Sequence, residues 1–366
     1  MKTTYKTSEA ISFLEELASV IPVKTANPIL RNVCLEATAN KLIFKATDLE
    51  LSMMIAGNNI SETAGKTTVS IMFLLSALKK IKQPDFQMEQ KNNEIEITAA
   101  RKKIKLVTLD PVDFPDVGEV GKLEKGEDGE GESITIDNNL LLKVIERTAY
   151  AIDPNDTRLQ MQGLGVVPLE NETLFCGTDG KRLAISRYPA RLLNEPIIIP
   201  YKSVMALKKS LKDIGAIKVK VGNGRIAFGN DDFGLTTLLI DAVFPNVLQV
   251  IPKKFEHILK INRKEFLKAL DFATVVLPKD KSAVKLILED GKIVVDAETS
   301  EIGNTHVDID VEYSGEKIVM IVNPYYFMAA MGAVDDEIIK LKINSGTMPV
   351  VFEGENYTAI VMPLRA

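Results

Sequence analysis

The sequence predicts an α+β fold repeated three times along 366 residues. Three observations predict it. Each third opens with an amphipathic helical stretch, each such helix precedes a hairpin-like strand pair, and landmark residues recur at nearly one offset. Thr47-Asp48 and Thr178-Asp179 lie 131 residues apart, and Phe114-Pro115 and Phe244-Pro245 lie 130 apart. The Ala-Leu-Lys-Lys string at 77–80 returns 129 residues later at 206–209. Three independent landmarks at almost one spacing are hard to obtain by chance. The third copy is the most divergent.

The first helices are expected over 8–21, 138–151 and 263–277. Their apolar residues fall at helical spacing: Ile11, Leu14, Leu17 and Ile21, then Leu140, Leu141, Val144 and Ile145, then Phe266, Leu267, Leu270 and Val275. The hairpins follow at 33–36 with 41–46, 164–168 with 173–176, and 284–288 with 292–297. Their turns fall at Ala39-Asn40, Glu170-Asn171 and Asp290-Gly291. Second helices are expected over 71–81, 201–211 and 324–331. Each third closes on alternating strands and a proline signal: Phe114-Pro115-Asp116-Val117, Phe244-Pro245-Asn246-Val247 and Met362-Pro363-Leu364. The stretch 118–132 repeats Gly, Glu and Lys with little apolar content, so it reads as a solvated tether. With a second boundary near 252–256, the expected domains are 1–125, 126–253 and 254–366, each with two helices and mostly antiparallel strands.

Composition narrows the function. Forty-five basic and 50 acidic residues give a net charge of −5, unlike a protein that holds nucleic acid by bulk electrostatics. Any positive charge for DNA must be local. The two cysteines, Cys34 and Cys176, lie in apolar strand-like runs and read as buried thiols of a reducing cytoplasm. His257 and His306 have no second ligand at metal spacing. No signal peptide or membrane-length apolar run is visible. A nucleophile elbow, a P-loop and a paired-histidine motif are all missing, which argues against an enzyme. Gly222-Asn223-Gly224 leads into a strand and reads as a hairpin turn.

These landmarks, in this order, resemble the β subunit of bacterial DNA polymerase III, the β sliding clamp family. The matching residues are Asn27-Pro28-Ile29-Leu30, 46–50 (Ala-Thr-Asp-Leu-Glu), 178–184 (Thr-Asp-Gly-Lys-Arg-Leu-Ala), Phe244-Pro245 with Ile251-Pro252, and 361–365 (Val-Met-Pro-Leu-Arg). The resemblance implies a head-to-tail homodimer forming a six-domain ring, with helices lining the hole and sheets outside. A ring holds DNA topologically, which reconciles an acidic protein with an acidic polymer. It also implies a processivity factor rather than an enzyme, with no cofactor. The implied partners are duplex DNA without sequence specificity, the DNA polymerase III core, the clamp loader complex, and other polymerases and repair proteins carrying short clamp-binding peptides. No membrane is involved.

Charge on the second helices of the first two domains picks out Lys79, Lys80, Lys202, Lys208 and Lys209 for phosphate proximity. The resemblance adds Lys24, Asn155 and Arg158, and again Lys202. Leu159 and Gln160 stand where the family often has aromatics, and Met72 where a basic residue is common. A partner-peptide groove is implied at Met161, Thr178, Gly180, Arg182, Leu183, Pro245, Val250, Val361, Met362, Pro363 and Leu364. Met, Leu, Val and Pro there suit apolar anchors from several partners. Gln249 replaces a commonly basic residue. The expected dimer interface sets Ile104 and Leu106 on an edge strand against Val275 and Val276. The alternatives are a sequence-reading DNA-binding protein, which Lys-rich, Arg-poor helix faces disfavour, and a clamp-like scaffold that no longer encircles DNA.

Overall fold

The computed structural model describes every residue except 117–132, 213, 279–282 and 365–366. The tether at 118–132 and the motif residues Val117 and Arg365 therefore lie outside the described residues.

Six helices are described: α1 (Thr7–Leu17), α2 (Ile71–Leu78), α3 (Asn138–Thr148), α4 (Tyr201–Ser210), α5 (Arg263–Ala273) and α6 (Pro324–Gly332). They fall where the sequence put them, the first of each repeat by apolar periodicity and the second by its place after a strand, but several are shorter. After α5, the β-branched run Thr274-Val275-Val276 tightens into a 3-10 turn. After α3, Ala149–Ala151 does the same. Local chemistry sets several starts: the Asn262 side chain accepts from the Glu265 amide at α5, and Asn323 accepts from the Tyr325 amide with Pro324 at the first position of α6.

The chain forms two compact units that do not follow the three sequence repeats: residues 1–142 with 202–239, and 143–201 with 240–366. The first holds a 13-stranded antiparallel sheet. In it the hairpin Asn32–Ala37 and Lys41–Thr47 leads to Leu51–Asn58, and Leu51–Asn58 pairs with Phe233–Leu238 of the second repeat, Thr236 opposite Ser52. The second unit holds an eight-stranded and a four-stranded sheet. In the eight-stranded sheet Arg182–Tyr188 of the second repeat pairs with Tyr357–Val361 of the third, Ala184 opposite Ala359. Each unit thus contains one junction between repeats, made by the strand after a Thr-Asp landmark or its counterpart and the last strand of a repeat.

The landmarks are structural. Thr47 Oγ1 accepts from the Leu49 amide at 3.0 Å, and Asp48 Oδ1 accepts from the Glu50 and Leu51 amides at 3.0 and 2.7 Å. Thr178 and Asp179 repeat this turn with Gly180, Lys181 and Arg182 at 3.1, 2.9 and 2.9 Å. The side chains replace backbone partners, as short polar residues do in tight turns. Asn223 and Gly224 both take positive φ, 53° and 66°, which makes this segment the hairpin turn expected of it. Phe114 packs with Ile29 and Cys34, and Phe244 packs in the cluster that holds Cys176, so each Phe-Pro landmark plugs a core.

Candidate functional site

The structure places two sets of residues marked in the sequence. The first is a cavity of about 160 Å3 in the second unit, with almost entirely apolar walls. The 3-10 turn Leu159–Met161 supplies Met161, the Thr-Asp turn supplies Thr178, Gly180 and Arg182, and the following strand supplies Leu183. Pro245 and Val250 come from the segment after Phe244, and Met362 from the chain beyond the last strand. Eight of the eleven residues named for a groove line this cavity.

Three do not. Val361 is 1% exposed and belongs to the core around Phe266 and Phe352. Side chains alternate along a strand, so its neighbour Ile360 takes the cavity side instead. Pro363 and Leu364 follow a backbone led off by two bonds: the Met362 amide donates to Lys181 O at 2.9 Å and the Leu364 amide to Ile321 O at 2.7 Å. The residues missed were Ile360, Val247 and Lys181. Alternation along 357–361 carried the signal for Ile360. Gln249 is exposed and does not line the cavity.

Arg182 is held rigidly at this cavity. Its Nε lies 3.0 Å from Asp179 Oδ2, and its guanidinium sits 4.5 Å from the Tyr326 ring centre and 5.6 Å from that of Tyr150. The Tyr150 and Tyr357 hydroxyls are 2.7 Å apart, and Tyr357 donates to Ala330 O at 2.8 Å. Arg158 lies against Gly180, donating to Asp156 through Nε and Nη2 at 2.9 and 2.8 Å and to Asp179 O at 3.1 Å. These bonds hold the Asp156 carboxyl down at about 2.

The second set is basic. Lys24, Lys79, Lys80, Lys202, Lys208 and Lys209 lie in the first unit; Asn155 and Arg158 lie in the second. Most of these lysines are exposed, Lys208 half-buried. Lys79, Lys202 and Lys209 already hold acceptors. Lys79 Nζ is 2.6 Å from Glu15 Oε1, Lys209 Nζ donates to Glu15 O at 2.7 Å, and Lys202 Nζ donates to Val20 O at 2.6 Å and to the Asp48 carboxylate. Lys80 contributes its carbonyl to Lys102 Nζ at 2.8 Å, and the Asn155 amide donates to Asp153 Oδ1 at 3.0 Å. Met72 and Phe73 are exposed at the start of α2, so that helix face is less basic than its lysines suggest.

The residues expected at a dimer interface divide in the same way. Ile104 and Leu106 are half-buried on Lys102–Leu109, which pairs with Glu94–Ala99 over residues 102–107 and with Gly65–Ser70 only at Thr108 and Leu109. Val275 is exposed. Val276 is 8% exposed and packs into the third-repeat core, a correction that follows from the 3-10 turn rotating it inward.

Among the described residues no group of three or more His, Cys, Asp or Glu side chains could hold a metal ion, and no helix is long and apolar enough to cross a membrane. Three tandem α+β domains, each with helices and antiparallel strands, define a protein of the clamp class. Family models for the DNA polymerase III beta subunit match in succession: the N-terminal domain over 1–118, the central domain over 135–246 and the C-terminal domain over 248–365. The chain belongs to that family. It is 27% identical over 383 residues to a beta sliding clamp of Caulobacter vibrioides and 24% over 378 to one of Pseudomonas putida, each covering all of both chains. A crystal structure of the DNA polymerase sliding clamp from Caulobacter crescentus superposes with a TM-score of 0.87 at 26% identity, and the Pseudomonas aeruginosa subunit beta with 0.89 at 22%, both over the full length of both chains.

Proposed function

We propose that two copies of this chain close head to tail into a ring around duplex DNA, and that the ring tethers polymerases through the apolar cavity. Its role as a DNA sliding clamp and processivity factor, without catalysis, follows from family membership. The ring and its contacts are our reading.

One observation carries it. Two repeat junctions are closed by strand pairing within the chain: Leu51–Asn58 with Phe233–Leu238, and Arg182–Tyr188 with Tyr357–Val361. The counterparts that would make a third junction are Gly303–Asp310 and Lys102–Leu109. The first is the edge of its sheet, and the second is unpaired along one side over residues 102–107 among the described residues. An edge with half-buried apolar side chains is a liability unless another chain covers it. A second copy of the chain satisfies both edges twice, and the symmetry is closed.

In this reading Lys24, Lys79, Lys80, Asn155, Arg158, Lys202, Lys208 and Lys209 approach phosphates without reading sequence. The cavity takes an apolar segment of a partner peptide: from the DNA polymerase III core, the clamp loader complex, or other polymerases and repair proteins. The three domains are 1–125, 126–253 and 254–366, and the ring works in the cytoplasm. The test is retention on a nicked circular plasmid after loading with a clamp loader and ATP. Retention that resists high salt and vanishes on linearisation supports encirclement, because ionic contacts weaken with salt and a threaded ring does not. No retention, with a loader proven on another clamp, favours a scaffold that does not encircle DNA.

A further inference from the structure

Lys79, Lys202 and Lys209 of the first unit each hold an acceptor of the same unit, and one residue supplies two of these acceptors. Glu15, near the end of α1, accepts Lys79 of α2 on its carboxylate at 2.6 Å and Lys209 of α4 on its carbonyl at 2.7 Å. We propose that Glu15 is an electrostatic brake on the nucleic-acid face: it occupies Lys79 and weakens duplex binding, so that the protein moves along DNA rather than sticking to it. This inference rests on the reading of α2 and α4 as a face towards DNA.

The neighbouring carboxylate of α1, Glu16, does not share the role. Glu16 is buried and accepts from Ser210 Oγ at 2.6 Å, which makes it part of the packing. Glu15 and Lys79 are about half exposed, with side-chain exposures of 45% and 50%. A pair this exposed contributes little to folding, so its position calls for another explanation. The Lys79 hydrogen bond holds the Glu15 carboxyl below the usual carboxylate range, so it is charged at neutral pH. A phosphate that engages Lys79 must displace that carboxylate or share the lysine with it. Each lysine–phosphate contact releases counterions and steepens the salt dependence, so a lysine kept on a carboxylate removes its share of both.

Anisotropy of a short labelled linear duplex, titrated with the full chain at several salt concentrations, reads affinity and salt slope together. Glu15→Gln should bind more tightly, with a slope steeper by about 0.9, or roughly 3.5-fold more affinity lost over a fourfold rise in salt. Glu62→Gln is the control: it removes the same charge from another ion pair, with Lys2 at 2.6 Å, and should leave the slope unchanged. Equal tightening by Glu62→Gln would reduce the effect to net charge and overturn the proposal. In Glu15→Gln combined with Lys79→Met the slope should return to the wild-type value; a slope that stays steep also overturns it. If wild type is retained on circles while Glu15→Gln leaves both affinity and slope unchanged, the brake fails and encirclement stands. Loss of wild-type retention on circles instead removes the reading on which the brake depends.

Discussion

Arg158 covers Gly180. A Cβ built at position 180 would lie 3.0 Å from Nη2 and 3.1 Å from Nη1 of that guanidinium, and φ at Gly180 is +79°. The glycine is therefore needed twice, for its backbone conformation and for the closeness of Arg158. Gly180→Ala should cost about 1–2 kcal/mol of stability through the left-handed backbone. It should also weaken peptide binding, because Gly180 lines the cavity and its turn must shift to accept a Cβ. Thermal unfolding and titration with a fluorescent clamp-binding peptide measure the two effects separately.

The matching turn makes the converse prediction. Leu49 occupies the place of Gly180 with φ 83° and is exposed. Its side chain gains little from burial, so the strain is not offset locally. Leu49→Gly should be neutral or stabilising by up to about 1 kcal/mol, the relief of strain set against glycine's greater backbone entropy. A destabilisation larger than that, in denaturant titration, would show that Leu49 is held by contacts with a value beyond its conformation.

Strand parity separates two neighbouring substitutions in the last strand region. Met362 lines the cavity and is partly exposed, while Val361 is in the core. Met362→Ala should weaken peptide binding by about 1 kcal/mol with little change in stability, from lost apolar contact. Val361→Ala should do the reverse, costing about 2 kcal/mol of stability by leaving a cavity. If Val361→Ala weakens the peptide more than Met362→Ala does, the two faces of this strand have been assigned the wrong way round.

Much of this was legible in the sequence, and the exceptions have physical causes. Helical spacing located the first helix of each repeat, and the repeat pattern located the second; the Thr-Asp and Phe-Pro landmarks proved to be turns and core plugs rather than chemistry. Resemblance located the chain segments around the cavity but not the direction of each side chain, which is why Val361 stood where Ile360 belongs. Val276 was misplaced because the helix there tightens into a 3-10 turn and changes the angular step per residue. The junctions between repeats, such as Ser52 with Thr236, and the ion pair of Glu15 with Lys79 depend on tertiary contacts that no local pattern encodes.

Both thiols should be inert in the folded protein. Burial pushes the Cys34 thiol up to about 11 and Cys176 higher still. A raised folded pKa means that the contribution to stability is complete below the unfolded thiol value, near 8.5–9, and is lost as pH rises towards the folded value. Stability should therefore fall between about pH 9 and 11. At pH 8 a thiol reagent should modify neither cysteine until denaturant unfolds the chain. Rapid labelling of native protein at pH 8 would mean that Cys34 is open to solvent by local unfolding.

Ile104 is the most direct probe of assembly. It lies on a strand whose residues 102–107 are unpaired on one side among the described residues, and it is only half-buried. If a second copy covers that edge, Ile104 becomes buried and an aspartate there carries an unpaired charge into the interface. Ile104→Asp should then sediment as a monomer at concentrations where wild type is a dimer, with an unchanged unfolding transition of the monomer core. Val275→Asp, at an exposed position of the third repeat, should act in the same direction. Both variants sedimenting as dimers would place the junction on other strands and remove the support for head-to-tail closure.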